Sequence, residues 1–295
     1  MFPGQFSNAN KCLRVSNTSG SYLYTGTLNV TGGSYPCTYF MIQNIFGSAS
    51  LQFDKGIGNL HYFLIGGGGG GGTSGYASTA GRGGDGGSIN SSWSTNPNAT
   101  GVTVSVGSTP LAYSITNGNG GAGGSSTSGS AGETTSFTLT SVFSASAGGG
   151  AGGTYDYSAT GTGGAGYSPP DGAHGGDGIL ASLLMQNPTD TSNATPLSWK
   201  ATTNTITAQY IKYGAGGGGG DTIRRASFAA YTNKGGANWG GFGMEYPIGE
   251  SLWSPAAGGY GSGGGGGGTL SSADGGYSRG GASGGNGVAI FRFQY

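Results

Sequence analysis

The chain has 295 residues, of which 71 are glycine and 7% are charged, with 11 basic and 11 acidic side chains and a formal net charge of zero. Glycine is enriched more than threefold over its usual level of about 7%, and charge is depleted from about 25%. That balance excludes a highly charged disordered segment, and ten prolines without a strict glycine triplet exclude collagen. No Lys/Arg stripe offers nucleic acid a phosphate-binding surface, and no apolar run reaches the roughly 20 residues of a membrane-spanning helix.

The opening MFPGQFSNANKCLRV has neither a charged nor an apolar leader region, so synthesis in a cytoplasm is expected. Cys12 and Cys37 are the two cysteines. They could close one disulfide, or remain two buried free thiols, as a cytoplasmic origin favours. Sequons at Asn17, Asn29, Asn90, Asn98 and Asn193 are expected by chance in a chain so rich in Asn, Ser and Thr. Up to about residue 65 the pattern is alternating. Leu13 and Val15, Tyr22 and Tyr24, and Leu28 and Val30 share faces at period two, then come TYFMIQNIF and SLQFDKG. LHYFLI reads as a strand buried on both sides.

HYFLIGGGGGGG (61–72) then carries a strand straight into seven glycines. Glycine blocks recur at 66–72, 81–87, 118–124, 148–153, 161–166, 172–178, 214–220, 235–243, 258–268 and 275–287. Between them, GVTVSVGSTPLAYSIT, TSFTLTSVFSASA and TTNTITAQYIKY read as strands. GILASLLMQ (178–186) reads as a helical turn or two, and GVAIFRFQY closes the chain as a strand. One linker needs one glycine block, whereas ten suggest elements packed side by side. Polyproline II has three residues per turn, rises about 3.1 Å per residue and makes no internal hydrogen bonds. Glycine helices of this kind, lacking Cβ atoms, can pack closely and bond to one another, so that every buried backbone group finds a partner. The expected fold is mainly β with irregular structure: a short-strand β module (1–65) plus a bundle of polyproline II glycine helices with aromatic loops and a closing strand (66–295), and little or no α-helix.

The chain resembles the glycine-rich domain of tail-fibre and virion surface proteins of phages and aquatic viruses. The resemblance lies in SLQFDKGIGNLHYFLIGGGGGGG, in GRGGDGGSINSS followed by GVTVSVG, in NGNGGAGGSSTSGSAGETTSFTLTSVFSASAGGGAGG, and in the terminal GGNGVAIFRFQY, from about residue 50 onward. More distantly it is similar to the adhesins that cap long tail fibres of T-even-like phages, in which polyglycine helices form a bundle and intervening loops read a host receptor. The first 50 residues depart from that pattern. The resemblance implies a virion surface protein, made in a host cytoplasm.

Little in the chain points to catalysis. His61 lies within an apolar strand. Asp171, His174 and Asp177 stand three apart in PPDGAHGGDG, one face of a polyproline II helix, but too few ligands for a zinc site. GGDGG (83–87) is not a calcium repeat, and no Walker motif or Ser–His–Asp arrangement stands out. No catalytic residue, metal or cofactor is expected. The richest recognition segment is 222–255, where Tyr231, Trp239, Phe242, Tyr246 and Trp253 lie among glycines beside Arg224 and Arg225. Such aromatics suit sugar or protein binding, or they plug the sides of the bundle. The expected function is a non-enzymatic virion protein on a tail fibre or capsid, joined to other virion proteins through residues 1–65. It would bind a host glycan or protein receptor through loops between glycine blocks, without nucleic-acid or membrane partners. The alternatives are a structural cement without receptor binding and an ice-binding or extracellular matrix protein.

Overall fold

A computed structural model describes residues 13–14, 21–30, 33–44, 48–53, 56–74, 76, 79–92, 102–106, 111–125, 127–155, 163–166, 175–176, 179–180, 198–200, 205–207, 212–220, 224–225, 240–241, 246–247, 257–258, 261–269 and 278–294. Among them there is no α-helix.

Two antiparallel sheets hold the apolar side chains. The larger begins at Ser21–Val30 and continues through Gly33–Asn44, Val288–Gln294 and Gly56–Ile65. Ile89–Ser91 and Val102–Val106 both pair with the other side of Gly56–Ile65. This sheet takes strands from both sides of residue 65. The smaller runs Leu13–Arg14, Ser48–Phe53, Leu111–Thr116, Thr135–Leu139, Phe143–Ala147. Period two is plain in Thr135–Leu139, where Thr135, Phe137 and Leu139 are buried and Thr138 is exposed. The sheets meet through rings: Phe143 lies 5.2 Å from Tyr62 and 6.2 Å from Phe137. Phe63, Leu64, Ile65, Ile115, Phe137, Leu139 and Val288 are at most 3% exposed, each contributing about 1.5–3 kcal/mol by burial. Ile179–Leu180, expected to start a helical turn, instead pairs antiparallel with Lys212–Tyr213. The rest of that stretch lies outside the described residues. The pairing ties Ile179–Leu180 to the strand that leads directly into glycines 214–220.

The glycine segments form the bundle, and 66–72 is its axis. Its N–H groups donate in strict rotation to three neighbours. Gly66, Gly69 and Gly72 bond to Ser88, Asp85 and Arg82; Gly67, Gly70 and Thr73 bond to Glu133, Ser130 and Thr127; Gly68 and Gly71 bond to Gly285 and Ala282. Its carbonyls accept from three others: from Gly150 and Gly153, from Gly121 and Gly124, and from Gly264 and Gly267. All of these bonds are 2.8–3.1 Å long. A partner that recurs every third residue is the signature of a helix with three residues per turn. The six neighbours also bond to each other in a closed ring, through Gly84 N to Gly264 O, Gly285 N to Ser262 O, Gly284 N to Gly121 O, Glu133 N to Asn119 O, Gly132 N to Gly150 O and Asp85 N to Ala151 O. Segment 214–220 packs outside this ring, against 81–88 and 261–267.

The packing leaves no room for side chains on any inward row. A Cβ at Gly67, Gly68 or Gly69 would fall on the carbonyl oxygen of Asn119, Ser262 or Ala151. Segment 118–124 needs glycine on two of its three rows, and the third, Asn119, Ala122 and Ser125, is exposed. Segment 127–133 needs it on one, Gly129 and Gly132, while Ser130, Ala131 and Glu133 are exposed. Outward side chains thus end the lattice where no further helix is to be added.

Candidate functional site

Six segments of the bundle run directly into or out of strands of the two large sheets: 66–72, 81–88, 118–124, 127–134, 148–153 and 280–287. One end of the bundle is therefore the sheet end, and the connectors emerge at the other. That far end is ordered by its own small sheet, in which Gly268–Thr269 pairs with both Ser278–Arg279 and Thr79–Ala80. The Thr73 hydroxyl donates to Arg279 O at 2.8 Å. Ser74 accepts from Tyr76 N at 3.2 Å, and the Thr79 hydroxyl donates to Tyr76 O at 2.6 Å. These side-chain-to-backbone bonds are those of a tight polar turn. The turn holds Tyr76 64% exposed, and Tyr155, bridged to Gly81 from the next connector, is 42% exposed. Arg279 is exposed at the same end.

Polar side chains replace lattice partners at the bundle margins. Thr135 Oγ1 accepts from Gly118 N at 3.0 Å, Asn286 Oδ1 from Gly120 N at 2.9 Å, Glu133 Oε2 from Asn119 N at 3.2 Å, and Ser262 Oγ from Ala215 N at 3.2 Å. Arg82 and Asp85 form an ion pair at 3.0 Å, and the same Asp85 oxygen accepts from Ala165 N at 2.8 Å. Their side chains are 37% and 24% exposed, so the Coulombic part is small. The carboxylate's main effect is to hold segment 163–166 beside 81–88. Asn90 is engaged at both ends of its amide, donating to Ser146 O at 2.8 Å and accepting from the Tyr62 hydroxyl at 3.4 Å. Burial raises the Tyr62 phenol above its ordinary pKa.

Of the aromatic residues expected to recognise a partner, Tyr246 lies in strand Tyr246–Pro247, paired in parallel with Arg224–Arg225. Tyr231, Trp239, Phe242 and Trp253 lie outside the described residues. Gly240 and Gly241, within the same segment, are buried in the bundle. His61 is opposite Arg292, and Cys37 is opposite Leu28 and Gln294. Cys12, Asp171, His174 and Asp177 lie outside the described residues. Among the described residues there is no cluster of three His, Cys, Asp or Glu placed to hold a metal, and no helix long and apolar enough to cross a membrane. Sequence reasoning missed Tyr76 and Tyr155, whose signal was their place at the far ends of glycine blocks.

The bundle is a glycine lattice with its side chains confined to margins and connectors. The chain belongs to the glycine-rich domain family, whose profile matches residues 44–294. No curated protein matches it.

Proposed function

We propose that this is a non-enzymatic virion protein, displayed on a tail fibre or capsid surface and recognising a host glycan or protein receptor through the connectors between its glycine segments. The observation that carries this reading is the division of labour in the lattice. The inner rows of the bundle are backbone alone, so recognition chemistry can reside only on outward rows and connectors. Tyr76 and Tyr155, on adjacent connectors, are exposed aromatic side chains of this kind. The sequence resemblance to viral fibre proteins supplies the setting. Antibody-labelled negative-stain images of the source particle test it: label on a fibre or shell is expected, and label absent from particles would defeat it.

The cement reading has an observation of its own. Among the described residues Ser21–Val30, ten residues with no charge and no proline, is the edge strand of its sheet, with Ser198–Lys200 nearby. Natural edges of that length are usually blunted, so this one suits augmentation by a strand of a neighbouring virion protein. On that reading, residues 1–65 would make the virion contact.

A further inference from the structure

The larger sheet and the bundle share one long antiparallel pair of chain segments. In the sheet, Val288–Gln294 runs beside Gly56–Ile65, with Gln294 opposite Asn59 and Val288 opposite Ile65. In the bundle, Gly68 N donates to Gly285 O and Gly71 N to Ala282 O, both at 2.8 Å. The register does not change where strand becomes helix: from Val288 opposite Ile65, three steps along each chain bring Gly285 to Gly68, and three more bring Ala282 to Gly71. Side-chain volume locks that register on the lattice side. A Cβ at Gly281, Gly284 or Gly287 would fall on the backbone oxygen of Gly71, Gly68 or Ile65, so a slip of one residue would drive a neighbour such as Ala282 or Asn286 into the axial segment. In the sheet the same slip would turn every side chain to the wrong face. Ile65, Gly287, Val288 and Ala289 are all buried at the junction. Val288–Gln294 has a second duty. Among the described residues, the hairpin of Ser21–Val30 and Gly33–Asn44 pairs with the rest of its sheet through Val288–Gln294 alone, and a two-stranded hairpin is marginally stable at best in water.

We infer that residues 282–294 are a latch. They close along 59–71 as a single zipper, which completes the sheet and the axial helix in one step and docks the hairpin 21–44. The latch is synthesised after every segment it closes, so sheet and bundle both wait for it. Until then Gly33–Asn44 and Gly56–Ile65 each lack the strand that lies between them. The latch also bears on the cement reading. The edge strand Ser21–Val30 takes its place in the sheet, and so meets a neighbouring protein, only in a chain made through Gln294. That consequence rests on the cement reading, whereas the latch does not.

Hydrogen exchange of the full chain, followed amide by amide, tests the latch without any partner. Phe291 is paired with Phe40 on one side and Tyr62 on the other. Phe291→Pro removes an N–H that a strand paired on both sides commits to one neighbour or the other. On a single zipper the loss spreads from sheet to bundle. Gly68 and Gly71, which donate to the latch, should exchange about tenfold faster, while Gly66 and Gly69, which donate to Ser88 and Asp85, should keep their wild-type rates. The amides of Gly33–Asn44 should speed up with Gly68 and Gly71. Wild-type rates at Gly68 and Gly71, with faster exchange confined to the sheet, would overturn the inference. If the variant does not fold, exchange of the wild type in rising denaturant below its unfolding midpoint decides. Amides of 281–287 and 288–294 that merge into one opening support the latch, and separate openings overturn it. Failure of the latched wild type to bind any virion protein would defeat the cement reading and leave the latch standing.

Discussion

At the scale of single residues, glycine here is required by contact more than by conformation. Gly68 has no special backbone angle, but its missing Cβ is where Ser262 O lies. Gly68→Val is therefore expected to cost about 3 kcal/mol or more, or to prevent folding, as overpacking does at its upper range. Gly217→Val, against Gly264 O, should behave alike. Gly148 is the control, since it is exposed and a Cβ there would meet only Ser88 Oγ, at 3.8 Å. Gly148→Ala should be neutral or stabilising by about 0.4–1 kcal/mol, through the entropy of the unfolded chain. Thermal melts of the three variants separate these cases, and equal melting temperatures would contradict the lattice. Tyr62 gives a pH signature. Burial raises its folded pKa above the ordinary 10.0, so the folded state holds its proton where the unfolded chain has lost it. Its contribution is complete below about pH 10 and declines as the pH rises further. Tyr62→Phe should flatten the alkaline limb of a melting-temperature profile and leave the neutral range nearly unchanged.

At the scale of elements, the lattice predicts a hierarchy of protection. Amides 66–72, bonded on all sides within the ring, should exchange slowest, followed by 216–220 and 261–267, and a denaturant-dependent exchange series reads this order directly. Free exchange at 66–72 would rule out the bundle. Much of this architecture was legible in sequence. The uninterrupted glycines 66–72 mark the helix with six neighbours, because all three rows are closed. GNGGAGGS (118–125) leaves one row to Asn119, Ala122 and Ser125 and lies on the ring with one face outward. The alternating TSFTL and the apolar LHYFLI became strands for the reasons their patterns gave. What glycine density hid is segment 127–133. SGSAGE has only Gly129 and Gly132 spaced by three, yet one glycine row suffices where a helix touches the axis on a single face. Gly240–Gly241, within the glycine block 235–243 read from the sequence, is buried and bonded to Gly218 and Gly263. The aromatic residues of 222–255 are legible as composition, but of those expected to recognise a partner all except Tyr246 lie outside the described residues.

At the scale of the whole molecule, stability rests on backbone bonds and on a mainly aliphatic core, Leu64, Ile65, Ile115, Leu139 and Val288 with Phe63 and Phe137, with little electrostatic content. Net charge is zero and only 7% of residues are charged, so the melting temperature should change little between low and moderate salt. Receptor recognition is the remaining and decisive question, because the bundle could display its connectors or merely brace a particle. The recognition reading places the chemistry in segment 222–255, on Tyr231, Trp239, Phe242, Tyr246 and Trp253. Truncating an aromatic anchor at an interface commonly costs about 2 kcal/mol or more, roughly thirtyfold in affinity. Trp239→Ala and Trp253→Ala should then weaken binding of purified protein to host cells by that factor or more while their melting curves match the wild type. The bracing reading predicts the reverse: Trp239→Ala lowers the melting temperature or disturbs assembly, and whatever folds binds as before. Tyr76→Ala and Tyr155→Ala separate the far end of the bundle from segment 222–255. Loss of binding in these two but not in the tryptophan variants would move recognition to the end of the bundle. Undiminished binding by all four well-folded variants would remove both surfaces and leave the edge strand Ser21–Val30, and with it the cement reading, as the part of the molecule that meets a partner.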